Sequence, residues 1–149
     1  MSREILFKAK RKNWKELPEE RWWVEGYPSP CVVVGKWHIC RIEDNLSTTQ
    51  IEVDPETICQ YTGLTDKNGK RIWENDIVSN KWCFVRGNSI VRYGEYKDWH
   101  MTEKYQCGNL GFYLDHIDKK DSTYIRKDMI YFAGNCKVEG NIFDNPELL

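Results

Sequence analysis

Six cysteines and three histidines are the residues of this 149-residue chain best suited to hold a metal or to act as nucleophile and base. The cysteines are Cys31, Cys40, Cys59, Cys83, Cys107 and Cys136, and no two lie closer than nine residues. Structural zinc sites usually draw two ligands from one tight turn, and that spacing is missing here. The spacing therefore predicts six free, reduced thiols that pack as small apolar groups, with zinc binding and a redox thiol as the alternatives. His38 precedes Cys40 by two residues, so on a strand the two share a face and could form half of a ligand set. The simpler reading is a hydrogen-bonded strand histidine. His100 and His116 have no such neighbour.

The carboxylates offer little more. Asp66-Lys67-Asn68-Gly69 opens like a calcium loop, but the last ligand position, where Glu is required, is Ile77. A turn is the better reading. Glu74 and Asp76 are separated by one residue and would share one strand face. Their plain roles are a solvated Glu and an Asp that bonds nearby backbone in a turn. Asn45-Leu46-Ser47 fits a glycosylation acceptor that has no use in a cytoplasm. The chain has no nucleophile elbow, Walker loop or Gly-rich dinucleotide fingerprint. No catalytic, cofactor or metal residue is assigned. The remaining resource is aromatic: seven Trp, eight Tyr and five Phe. Trp combines a large apolar ring with a polar N–H and suits interfaces.

The elements that position these residues are strands. Val, Ile, Thr, Tyr, Phe and Trp together number 48, against two Ala and eight Leu. β-Branched and aromatic side chains suit a pleated surface, and the best helix formers are scarce. Residues 3–11 read as a first strand with Ile5, Phe7 and Ala9 on one face. Pro18 opens a helical turn. Residues 22–27 form a second strand ended by Pro28-Ser29-Pro30. Residues 31–35 and 37–42 make a hairpin near Gly35-Lys36, 51–54 a further strand, and Pro55-Glu56-Thr57 a helical turn. Asn68-Gly69 between Tyr61–Leu64 and Lys70–Trp73 predicts a hairpin with a type I′ turn, both central residues at positive φ. Residues 77–78, 82–85, 89–93, 111–114, 129–132 and 136–143 are further strands. The polar stretch 94–109 reads as a long loop or decorated hairpin. Val138, Ile142 and Phe143 are expected in the core, with Pro146 ending the pairing. Many short, evenly spaced strands indicate a small barrel or sandwich.

Length predicts one domain, or one with a small satellite; the two parts are read as an N-terminal β region, 1–59, and a core, 60–149. The net charge of −1 exerts no general attraction on nucleic acid or anionic lipid. Charge is nevertheless uneven: residues 1–15 carry +5, residues 16–59 carry −6, and 60–149 balance. A solvated, Lys-rich edge strand accounts for the basic start. The apolar run Ile5-Leu6-Phe7 is far shorter than the roughly 7–15 residues of a signal peptide core. No stretch approaches the roughly 20 apolar residues of a membrane span. A reducing cytoplasm is the expected location.

Three segments carry a resemblance. They are Arg3 to Ala9 at the start, Gln60 to Val78 (Gln-Tyr-Thr-Gly-Leu-Thr-Asp-Lys-Asn-Gly-Lys-Arg-Ile-Trp-Glu-Asn-Asp-Ile-Val), and Gly140 to Leu149 at the end. Together they resemble the YopX family, small proteins encoded by bacteriophages and by prophages in bacterial genomes. The resemblance implies an SH3-like β-barrel region. It brings no catalytic or cofactor residues with it. The family pattern falls here on Tyr61, Gly63, Leu64, Asp66, Asn68, Gly69, Trp73, Asp76, Gly140, Asn141, Asn145 and Pro146, read as structural. Asn75 departs from it, standing where many members have Gly in a Gly-Asp-Ile-Val run. Asn tolerates the left-handed region, so a tight turn survives.

These readings lead to a non-catalytic module that binds a protein partner or itself, without cofactor and without membrane. Trp22, Trp23, Tyr27 and Trp37 are its candidate surface, because their strand faces cannot all enter one small core. A nucleic-acid-binding protein, resting on the basic first fifteen residues, is the alternative, and an enzyme comes third.

Overall fold

The computed structural model describes residues 4–31, 35–42, 48–80, 87–99, 106–117, 128–129 and 133–149. The chain is strand-dominated and divides into two compact units, Met1–Tyr61 and Thr62–Leu149.

The first unit holds β1 (Phe7–Lys10), β2 (Trp23–Cys31), β3 (Lys36–Ile42), β4 (Thr48–Val53) and the start of β5 (Cys59–Thr65). They pair antiparallel in the order β4-β3-β2-β1-β5. Cross-strand partners share a side of the sheet. Pairing of Ala9 with Val24, Pro28 with Ile39 and Ile39 with Ile51 therefore collects one apolar face. Its core is Ala9, Val24, Ile39 and Val53, with Phe7, Ile51 and Ile58 packed against it. Gly26 allows this closeness: a Cβ there would overlap the Cys40 carbonyl and the Ile39 side chain.

Two expectations for this unit change. Ile5 does not share a strand face with Phe7 and Ala9; it is exposed and lies before β1, which begins at Phe7. The second strand is not ended by its prolines, because β2 runs through Pro28 and Pro30 to Cys31. β1 reaches only to Gly26 on that side, so a proline beyond it withholds no N–H from the β1 ladder. The predicted strand at 31–35 lies largely outside the described residues. Short 3-10 turns at Trp14–Glu16, Glu19–Arg21 and Pro55–Thr57 complete the unit. Pro18 stands just before the second, and Asp54 caps the third by accepting from the Glu56 N–H at 3.2 Å.

The second unit holds the end of β5 with β6 (Arg71–Trp73), and a sheet of β7 (Asp76–Asn80), β8 (Gly87–Trp99), β9 (Gln106–His116) and β10 (Cys136–Asn141) in the order β10-β7-β8-β9. Its core is Ile72, Val78, Val91, Leu114, Met129, Ala133, Cys136 and Val138, with Leu64 and Phe112 against it. Of the two readings of 94–109, the hairpin holds and the loop does not, since β8 and β9 pair continuously from Ser89↔His116 to Trp99↔Gln106. Polar side chains left the choice open, because a ribbon solvated on its faces needs no apolar alternation. Ile142 and Phe143 are half-buried and lie past the end of β10. Pro146 does more than stop pairing: it opens a 3-10 turn, Pro146–Leu148. The strand expected at 82–85 and residues 130–132 lie outside the described residues.

The hairpin turn also differs from its expectation. Gly69 has φ +80°, while Asn75 is the one non-glycine residue at positive φ among the described residues, so Asn68 is not left-handed. Asp66 N–H bonds the Lys70 carbonyl at 2.8 Å, and Gly69 N–H bonds the Asp66 carbonyl at 3.0 Å. This is a three-residue loop with glycine in the left-handed position. The Asp66 carboxylate selects it by accepting from the N–H groups of Asn68 and Lys70, at 2.8 and 2.9 Å.

Candidate interaction surface

The first unit's sheet has a second face, opposite its core, built from the alternate residues Lys8, Lys10, Trp23, Glu25 and Tyr27. Lys10 is 2% exposed. Its ammonium lies 3.8 Å from the ring centre of Trp14, 4.7 Å from that of Trp22 and 5.7 Å from that of Trp23. The negative faces of indoles attract a cation, most strongly where water is excluded. Trp14 meets Trp22 edge to face, centroids 4.9 Å apart. Trp22 is held by its own Nε1–H, which donates to the Leu17 carbonyl at 2.9 Å. Lys8 lies over the Trp23 ring at 4.9 Å. The turn Trp14–Glu16 thus carries one wall of a cage whose occupant comes from β1.

The four rings chosen from sequence therefore separate. Trp22 and Trp23 are half-buried in this cluster. Tyr27 and Trp37 stay open, at 49% and 37% exposure. They do not form one patch: Tyr27 pairs with Cys40 on the outer face, whereas Trp37 pairs with Pro30 and Val53 on the core face, at its rim. Sequence reasoning missed Trp14 and Lys10. Their contact depends on the β1–β2 register, Lys10↔Trp23, which spacing along the chain does not reveal.

The other chemical candidates resolve as follows. His38 and Cys40 share a side of β3, both half-buried, and face Glu52 and Gln50 on β4. Among the described residues no group of three or more His, Cys, Asp or Glu is arranged for a metal. Cys31, Cys40, Cys59 and Cys136 are thiols outside any disulfide; Cys83 and the Cys107 side chain lie outside the described residues. Glu74 and Asp76 are not side by side on a strand, because Asn75, at φ +65°, turns the chain between them. An unexpected pair is Ser89 with His116, Oγ to Nδ1 2.7 Å, brought together as cross-strand partners of β8 and β9. It has nucleophile–base geometry. Exposures of 0% and 6% leave a substrate no access to it.

Asp66 is the hub of the second unit. It is buried, and beyond its two bonds within the hairpin it accepts from the Val138 N–H on β10 at 3.0 Å. Burial alone raises its pKa; the three backbone N–H groups and Lys70 outweigh that and hold it below the usual carboxylate value. A carboxylate so engaged replaces the calcium-loop reading. Asp76 is likewise buried and accepts from the Trp73 N–H at 2.9 Å. Thr62 Oγ1 donates to the Ile72 carbonyl at 2.7 Å. Tyr61 is buried in the first unit and Trp73 in the second. Gly63 adopts φ +84°. At the C-terminus, Asn141 Oδ1 accepts from the N–H groups of Phe143 and Asp144, both at 3.0 Å. A Cβ on Gly140 would overlap the Asn145 side chain, whose Oδ1 accepts from the Asn141 N–H at 3.3 Å.

A family model described as YopX protein matches residues 32–149. The chain belongs to the YopX family. The match covers the hairpin and the C-terminal turn just described, whereas the opening segment, Arg3 to Ala9, lies before it. The crystal structure of protein EF1440 from Enterococcus faecalis is similar over 99% of both chains, at 22% identity and a TM-score of 0.48. A search of curated proteins finds no match.

Within this YopX chain, Asn75 satisfies the position where the pattern has Gly. Its φ of +65° is left-handed, its N–H bonds the Val91 carbonyl at 2.7 Å, and its Oδ1 accepts from Arg92 at 2.8 Å. Cys136 is inert by its surroundings. Burial, with the charges of Asp66 and Asp76 adding to it, pushes its thiol up to about 11.

Proposed function

We propose that this YopX protein is a non-catalytic binding module, of phage or prophage origin and active in the bacterial cytoplasm. The observation that carries the reading is the exposure of two separate rings, Tyr27 on the outer face of the sheet and Trp37 at the rim of its core face, while Trp22 and Trp23 are half-buried in the cluster around Lys10. Exposed aromatic rings are the typical anchors of protein interfaces. An SH3-like organisation of the second unit agrees with such a role. Its support is the β7-β8-β9 meander, the 3-10 turn Ala133–Asn135, and a last strand that returns beside β7.

A nucleic-acid partner is the second reading. Lys8, over Trp23 and on the same face as Tyr27, favours it, since cations and stacking rings together hold single strands. Against it, Lys10 is turned inward and Arg11 Nε donates to the Arg21 carbonyl at 2.9 Å.

The test compares wild type with a Tyr27→Ala/Trp37→Ala variant of matching melting profile, each immobilised against host lysate. A protein held by wild type and released by the variant supports the reading. Equal capture refutes both rings as anchors. A gel shift that weakens steeply with salt and persists in the variant replaces protein by nucleic acid as the partner.

A further inference from the structure

Asn68-Gly69 is the one Asn-Gly pair in the chain, and both residues are exposed in the loop between β5 and β6. Such a pair is chemically reactive. The peptide nitrogen of the glycine attacks the side-chain carbonyl carbon of the asparagine, and glycine has no Cβ to hinder the approach. As the new N–C bond closes a five-membered succinimide, the side-chain nitrogen leaves as ammonia and takes the peptide proton with it. Water then opens the ring at either of its carbonyls, giving aspartate or isoaspartate.

The hairpin withholds that nucleophile. Gly69 N–H donates to the Asp66 carbonyl at 3.0 Å. Ring closure requires the Asn68–Gly69 peptide to turn about the Cα–C bond of Asn68 and its nitrogen to give up the proton, and both break this bond. The peptide is not free to turn alone. On either side of it the Asp66 carboxylate accepts from Asn68 N–H at 2.8 Å and from Lys70 N–H at 2.9 Å. The other carboxylate oxygen accepts from Val138 N–H on β10 at 3.0 Å, and Lys67 N–H donates to the Cys136 carbonyl at 3.1 Å. Hydrogen bonds to an ionised acceptor are the stronger kind, and this acceptor is buried.

We infer that Asn68 is a deamidation site of this protein, held shut in the folded state by the bonds that Asp66 makes across the hairpin. The products undo the guard. Aspartate sets a second carboxylate beside that of Asp66. Isoaspartate routes the main chain through Cβ and adds one carbon to a three-residue loop, which shifts Gly69 and Lys70 away from the Asp66 acceptors. Modification therefore loosens the tie between the hairpin and β10.

The test incubates the full chain at pH 8, folded in buffer and unfolded in urea, and follows Asn68 by peptide mass mapping. Deamidation should be at least about tenfold slower in the folded protein, because it waits for local opening. Asp66→Asn, checked by circular dichroism to be folded, should lose most of that protection. Val24→Ala, a core truncation in the other unit, should keep it. In wild type, amide exchange at Gly69 should show the same protection as deamidation at Asn68, a readout that needs no variant. An Asn68 that deamidates as fast folded as unfolded overturns the inference, and so does one that stays intact in urea. Gly69 exchanging as fast as an unfolded chain overturns it as well. A folded Asp66→Asn protein that deamidates no faster than wild type, or a Val24→Ala protein accelerated as much as Asp66→Asn, removes Asp66 as the guard.

Discussion

Replacing Lys10 with Met tests whether attraction to the three indoles or desolvation of the ammonium governs the cage. The substitution keeps the length and flexibility of the stem and removes the charge. The ammonium is 3.8 Å from one ring centre and within 5.7 Å of two others, at a residue 2% exposed. Cation–π attraction rises from about 0.5–1 kcal/mol in water to about 2 kcal/mol or more when desolvated. Opposing it is the desolvation of the charge, and an apolar replacement of similar volume often matches or improves on a buried charge. Since the three indoles surround one cation, attraction should win, and Lys10→Met should destabilise by about 1–2 kcal/mol. Melting of a chain this size as one unit translates that into a drop of about 2–8 °C. Urea unfolding followed by Trp emission measures the free energy. A cycle with Trp14→Leu should show a coupling of about 1 kcal/mol, as expected for groups in contact. A Lys10→Met protein as stable as wild type, or more so, refutes the reasoning and shows that desolvation prevails.

Gly69→Val should destabilise by about 1–3 kcal/mol because a β-branched residue at φ +80° is strained, although its side chain meets open space; an unchanged melting temperature would refute the turn geometry. Gly26→Ala should be more harmful than Gly69→Ala, since the first meets the Cys40 carbonyl and the second meets nothing within 4 Å. Comparative thermal melts decide the order. The depressed folded pKa of Asp66 contributes stability above the unfolded value near 3.8 that disappears as pH falls through the folded value. Asp66→Asn should therefore weaken the protein at neutral pH, with the deficit shrinking in acid; a pH-independent deficit counts against the carboxylate's charge as the cause. Alkylation at pH 8 should modify half-buried Cys31 and Cys40 before Cys136, whose thiol lies at about 11, as read by mass mapping.

Composition and turn residues made strands and the central hairpin legible, because β-branched residues and glycine act through local sterics that need no partner. Gly69 and Asn75 are left-handed for such local reasons. The family was legible from the same hairpin and the C-terminal turn, where Asp66, Asn141 and Asn145 bond backbone close by in sequence. Other features depended on which strand lies beside which. Nothing along the chain says that Lys10 faces Trp23, that Ser89 meets His116, or that Pro28 and Pro30 lie beyond the end of β1. Long-range register sets these contacts, and it is chosen by the summed burial of whole faces rather than by any one residue. The same cause separated Tyr27 from Trp37: each strand alternates its side chains, but only pairing decides which side becomes core. Even the extent of β8 and β9 was decided by pairing, since a solvated ribbon carries no apolar period by which sequence could announce it.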